Sequence, residues 1–129
     1  MKFLLDTHAF LWLVSDAPQL SKKARRIFLD ENNQFFFSMA SIWEMAIKTS
    51  LGKLQLTQPF EKFMSHQLQE NAISILDIQF RHLRKISTLP FHHRDPFDRL
   101  IICQALEENL PVLSSDKAFD CYHGIERLW

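Results

Sequence analysis

Short apolar runs alternate along the chain with longer stretches of helical periodicity. Phe3-Leu4-Leu5, closed by Asp6, reads as a buried strand. His8 to Val14 reads as a short helix with Asp6 or Thr7 as its cap. Ser21 opens a second helix through Lys22, Ala24, Ile27 and Phe28, ending near Asn32-Asn33. Gln34-Phe35-Phe36-Phe37 is the next strand, and Ser38 caps a helix from Met39 to about Ser50 that stops at Leu51-Gly52. Pro59 to Glu70 gathers Phe60, Phe63, Met64 and Leu68 on one helical face. Ile73 to Leu76 reads as strand three and Phe80 to Ser87 as a short helix. A turn-rich segment, Leu89 to Pro96, leads into a strongly helical Phe97 to Asn109. Pro111-Val112-Leu113-Ser114 is strand four, and Gly124 to Leu128 a weak fifth. Strands alternating with helices predict an α/β domain with a mostly parallel sheet. No repeat, low-complexity tract or linker interrupts it, so residues 1–129 are expected to form a single domain.

Composition narrows the function classes. Twelve Phe and three Trp among 129 residues imply a sizeable aromatic core, to which the Phe35-Phe36-Phe37 run is assigned. Fifteen Lys+Arg balance fifteen Asp+Glu, so no global basic field marks a nucleic-acid binder. Only Gly52 and Gly124 are glycines, which excludes a Walker loop and a GxGxxG dinucleotide site. Cys103 and Cys121 are too few and too far apart for a zinc ribbon or a disulfide framework. Asp6, Thr7 and His8 interrupt the apolar N-terminus before a signal-peptide core forms, and no apolar run approaches the roughly 20 residues of a membrane span. These features lead to the expectation of a reduced, cytoplasmic protein with no membrane partner.

Four carboxylates carry the candidate chemistry. Asp6 ends strand one and Asp116 lies just past strand four, and ligands of open parallel sheets bind beyond such strand ends. The plain alternative for each is the cap of the following helix. Asp98 begins the helical face continued by Ile101 and Ala105, which points it toward the protein; otherwise it is a first-turn acid on the helix dipole. Glu44 either joins these acids or forms an exposed pair with Lys48 at i+4. If the four converge, their repulsion must be relieved by shared protons or a cation. An all-oxygen set selects hard ions, Mg²⁺ or Mn²⁺, which suit phosphate chemistry. Lys48, Arg94, Arg99 and Lys117 adjoin these acids in sequence as local bases.

Leu4-Leu5-Asp6-Thr7-His8, the Ser41–Lys48 segment SIWEMAIK, Leu51-Gly52-Lys53-Leu54, the His93–Leu100 segment HRDPFDRL and Ser114-Ser115-Asp116 together resemble the PIN-domain ribonucleases, and among them the VapC-type toxins of toxin–antitoxin pairs. The likeness runs in order from Lys2 to about Tyr122. It implies a three-layer α/β/α fold with a parallel sheet of about five strands. It also implies a Mg²⁺- or Mn²⁺-dependent endoribonuclease whose metal is held by Asp6, Glu44, Asp98 and Asp116. Asp6 and Asp98 would be direct ligands, with Glu44 and Asp116 acting through water or positioning the nucleophile. Thr7 matches a position whose hydroxyl supports the first acid. In-line attack of an activated water would leave a 5′-phosphate and a 3′-hydroxyl on the RNA. An antitoxin peptide blocking the groove and a second copy of the chain, as a homodimer, are the implied partners. Ser114-Ser115-Asp116 stands where Thr-x-Asp is commoner, a change that keeps a hydroxyl near the site.

Asp95, three residues before Asp98, competes with it as a ligand, but its place before Pro96 suits a turn or an N-cap. His92-His93 is assigned to a polar turn, because adjacent histidines in an extended segment point apart and no third ligand is suitably spaced. Cys103 is assigned to the core as a small hydrophobe. Two other function classes remain in view. A receiver-like signalling domain would need paired acids after strand one and an acceptor such as Asp77, and strand one ends in Asp6 alone. A PIN nuclease of RNA processing, without a toxin role, is the closer rival, and the compact size without appended RNA-binding domains favours the toxin.

Overall fold

β1 (Lys2–Leu5) lies at the centre of a five-stranded sheet of order β3-β2-β1-β4-β5, with β2 (Gln34–Ser38), β3 (Ile73–Leu76), β4 (Val112–Leu113) and β5 (Arg127–Leu128). Every pairing in this computed structural model, which describes residues 1–129, is parallel. The strands alternate with α1 (Thr7–Ser15), α2 (Lys22–Leu29), α3 (Met39–Ser50), α4 (Phe60–Glu70), α5 (Phe80–Ile86) and α6 (Pro96–Glu108). A short 3-10 helix, Lys117–Cys121, follows β4.

The period of two along the strands divides the core into two halves. Phe3, Leu5, Phe35 and Phe37 face one way and pack with Phe10 and Leu13 of α1, Ala24 of α2, Met45 of α3 and Phe63 and Met64 of α4. Leu4 and Val112 face the other way, against Ile101, Ile102 and Ala105 of α6 and against Phe119 and Tyr122. The result is the expected three-layer α/β/α arrangement. Cys103 is fully buried in the second half, where burial lifts its thiol to about 11 and keeps it neutral. Trp129 packs on Trp12 with ring centroids 5.7 Å apart.

Register sets the position of the site. Leu5 pairs with Phe37 on one side and Leu113 on the other. The next residues, Asp6, Ser38 and Ser114, therefore emerge together at the carboxyl edge of the three central strands. Each of these strands then turns into a capped segment, as the sequence pattern predicted for the first two. The second helix ends sooner than expected, at Leu29. The Asp30 side chain accepts the Asn32 backbone N–H at 2.9 Å, a local turn that competes with continuing the helix. Gly52 adopts φ +71° just past α3, the left-handed conformation that a helix stop requires. No helix is long and apolar enough to cross a membrane.

Candidate active site

Asp6 serves two purposes at the end of β1. Its Oδ1 accepts the Ala9 N–H at 2.6 Å, capping α1, and its Oδ2 accepts the Ser114 hydroxyl across the β1–β4 step. The same Ser114 Oγ accepts the Asp116 N–H at 3.0 Å, so one hydroxyl ties together the two strand ends that carry acids. Burial pushes the Asp6 carboxyl above its ordinary range, opposed by the bonds from Ser114 and Ala9 and by the charge of His8. Capping and chemistry are compatible here, since each carboxylate oxygen retains a lone pair after accepting one hydrogen bond.

Glu44 projects from α3 into the same region and is buried. Its Oε1 accepts the Thr7 hydroxyl at 2.7 Å, and its Oε2 lies 3.0 Å from Lys48 Nζ. The i+4 pair weighed from the sequence is thus present, but on a buried carboxylate fixed from two sides. Thr7 supports the acid on α3, while Ser114 supports Asp6.

Asp95 is the N-cap of α6, accepting the Phe97 and Asp98 N–H groups at 2.8 and 3.2 Å. Asp98 follows in the first turn, partly buried, with Ile101 and Ala105 buried behind it. Its carboxyl is pushed up to about 7, first by burial and then by the charges of Asp95, Glu44, Asp6 and Asp116. The acids of three strand or helix ends therefore converge on Asp98. Asp116 caps the 3-10 helix through the Ala118 N–H at 3.0 Å and is more exposed than the other three acids.

The tightest grouping differs from the sequence expectation. Asp98 and Asp116 each offer an oxygen within 4.8 Å of the other and of a ring nitrogen of His93, whereas Asp6 and Glu44 stand outside that triplet. From the sequence, His93 belongs to an ordinary turn. Its proximity to Asp116 arises from docking on Phe119 and Tyr122, and no local spacing announces it. Of the four local bases, Arg99 is not available to a ligand: its guanidinium is buried, donates to the carbonyls of Pro90 (2.8 Å) and Leu89 (3.0 Å), and lies over the Phe91 ring at 3.9 Å. Lys48 is committed to Glu44, which leaves Arg94 and Lys117, both exposed and next in sequence to His93 and Asp116. Asp77 is exposed at the far strand β3, and its carbonyl accepts the Gln104 side chain at 3.3 Å.

Four carboxylates around the partly buried Asp98 form a donor set that a divalent cation would stabilise. Protonation of Asp98 and the Lys48–Glu44 pair relieve only part of that repulsion in the absence of an ion.

Residues 3–123 match the PIN domain family. Three solved structures illustrate the structural similarity. VapBC2 from Rickettsia felis, bound to a DNA fragment from its promoter, aligns with a TM-score of 0.74 at 15% identity, covering 99% of this chain and 98% of that one. VapBC-1 from nontypeable Haemophilus influenzae gives 0.66 at 21% identity, covering 99% and 97%. VapBC-5 from Mycobacterium tuberculosis, a member of the VapBC family of toxin–antitoxin systems, gives 0.62 at 16% identity, covering 98% and 97%. At such identities the likeness concerns the fold. No curated protein matches the chain by sequence.

Proposed function

The chain belongs to the PIN domain family, a family of nucleases, and from that membership we propose that it is a Mg²⁺- or Mn²⁺-dependent endoribonuclease serving as the toxin of a toxin–antitoxin pair. The observation that carries the reading is the gathering of Asp6, Asp116, Glu44 and Asp98 at the carboxyl edge of the sheet, with Asp6 and Asp116 tied by one Ser114 hydroxyl and an oxygen of Asp98 within 4.8 Å of one of Asp116. Burial and these charges push the Asp98 carboxyl up to about 7. A cleft built this way stores repulsion that a bound cation relieves. Asp6, Glu44, Asp98 and Asp116 would hold that ion. When bound, it would polarise a phosphodiester and lower the pKa of a water.

The chain's own groups divide the remaining work. Ser114 and the α1 N-terminus hold Asp6 in one orientation, and Thr7 with Lys48 holds Glu44. Arg94 and Lys117, exposed and adjacent in sequence to His93 and Asp116, would meet RNA phosphates. Water adds to phosphorus in line with the 3′ oxygen, the P–O3′ bond breaks, and the products are a 5′-phosphate and a 3′-hydroxyl. The proton of the attacking water passes to a carboxylate of the cluster, and the departing 3′ oxygen takes up a proton from a solvent water, so the proton count balances.

Two surfaces support the partners in this reading. Met39, Trp43, Ile47 and Leu51 recur every fourth residue along α3 and its end, and all are exposed. Such a stripe suits a second copy of the chain. Leu11, Trp12, Val14, Leu54, Leu56 and Phe63 line a groove of ≈ 310 Å³ that suits an apolar antitoxin segment.

Controlled expression in a bacterium tests the toxin role. The expected result is growth arrest by the wild type, none by Asp98→Asn, and relief by the product of an adjacent reading frame. Growth arrest by both proteins alike would contradict it. Normal growth with active cleavage in vitro would favour a nuclease of RNA processing.

A further inference from the structure

One buried group outside the four acids faces the cleft without a partner. The His93 side chain is 10% exposed, and its Nε2 makes no hydrogen bond. A buried ring nitrogen left unpaired is unfavourable unless something binds it. The ring is firmly held: it stacks on Tyr122 with centroids 5.4 Å apart at 10°, and leans on Phe119 at 5.7 Å. Tyr122 Oη accepts the His93 backbone N–H at 3.0 Å and lies 3.1 Å from Nδ1. One hydroxyl therefore fixes both the backbone and the ring, and the opposite nitrogen is aimed at the acids.

That nitrogen is 3.9 Å from Asp116 Oδ2, too far for a hydrogen bond. The separation instead suits two ligands of one ion, because atoms each about 2.1 Å from a metal stand up to about 4.2 Å apart. An oxygen of Asp98 lies within 4.8 Å of both, so a side-chain adjustment of about half an ångström brings all three within reach of one ion. In the tautomer whose Nδ1–H donates to Tyr122 Oη, the lone pair on Nε2 is free for a cation.

We propose that His93 is a nitrogen ligand, beside Asp98 and Asp116, of the divalent ion in this cleft, and that the site consequently takes a first-row transition ion such as Mn²⁺ in preference to Mg²⁺. This rests on the metal-site reading above and adds a residue and a selectivity to it. Imidazole bonds readily to transition ions, whereas Mg²⁺ demands oxygen and retains its waters.

Calorimetric titration of the metal-free protein with Mn²⁺ and, separately, Mg²⁺ tests the proposal on wild type, His93→Phe and Asp98→Asn. The phenylalanine keeps a ring between Tyr122 and Phe119 while deleting both nitrogens. Expected is a roughly ten-fold or greater loss of Mn²⁺ affinity in His93→Phe, with Mg²⁺ affinity little changed, and loss of both ions in Asp98→Asn. An unchanged Mn²⁺ affinity in His93→Phe, or an equal fall for both ions, overturns the proposal; the acid site survives if Asp98→Asn still loses both. Binding of neither ion by the wild type overturns both readings. Electron spin-echo modulation of Mn²⁺ on the wild type needs no variant. A directly bound nitrogen is expected, and its absence overturns the assignment.

Discussion

Asp98 concentrates the conflict in this molecule. Its carboxyl titrates near 7 in the folded, metal-free chain, against about 3.9 when unfolded. The folded state is thus the better proton binder between those values, and stability falls as pH rises through that window. Thermal melts in EDTA should show Asp98→Asn gaining stability over the wild type at pH 8, with the gain vanishing below about pH 4. A variant equally stable or less stable than the wild type at pH 8 would mean that the repulsion is not stored there. Thr7 acts on the same cluster at one remove. Thr7→Val preserves shape but removes the donor to Glu44, so stability should fall by about 1–3 kcal/mol. Cleavage should fall roughly 10- to 100-fold, as for groups that orient metal ligands; denaturant melts and initial rates measure the two effects.

At the scale of elements, much was legible in advance. The runs at Phe3–Leu5 and Phe35–Phe37 are apolar where the sheet is buried, Ile73–Leu76 forms the edge strand with only Ile73 buried, and Ser21, Ser38 and Asp95 stand where helices begin. Asp6 and Asp116 were legible as strand-end acids because parallel strands present the same edge, although β4 is only two residues long. Whereas the cap at Asp116 was one of the two readings its place after a strand allowed, the helix end at Leu29 was not legible, since it is decided by a single side-chain bond from a nearby N–H. Neither was the place of His93, which depends on a tyrosine 29 residues away. The burial of Arg99 was equally hidden, because its partners are backbone carbonyls of the preceding turn. The join between α4 and β3 offers a test of local strain. Ala72 is exposed and holds φ 51°, a left-handed conformation that disfavours a Cβ. Ala72→Gly should raise stability by about 0.5–1 kcal/mol, the relief exceeding the added freedom of the unfolded chain. A loss of stability in chemical denaturation would contradict that account.

Across the whole molecule, the sheet acts as the frame that brings distant segments to one edge. Asp6 and Ser114, 108 positions apart, meet because β1 and β4 are neighbours, and α3 and α6 then deliver Glu44 and Asp98 from opposite layers. A chain of zero net charge needs no basic face for this chemistry, because a cation in the cleft and a few exposed bases can supply the local attraction for RNA. The most direct measurement is cleavage of RNA by the purified protein, with Mg²⁺ or Mn²⁺ against EDTA, alongside Asp98→Asn. We predict products bearing a 5′-phosphate, formed only with metal and lost in the variant while its fold persists. Cleavage that continues in EDTA, or in the folded Asp98→Asn protein at the wild-type rate, would contradict a metal-dependent nuclease built on these acids.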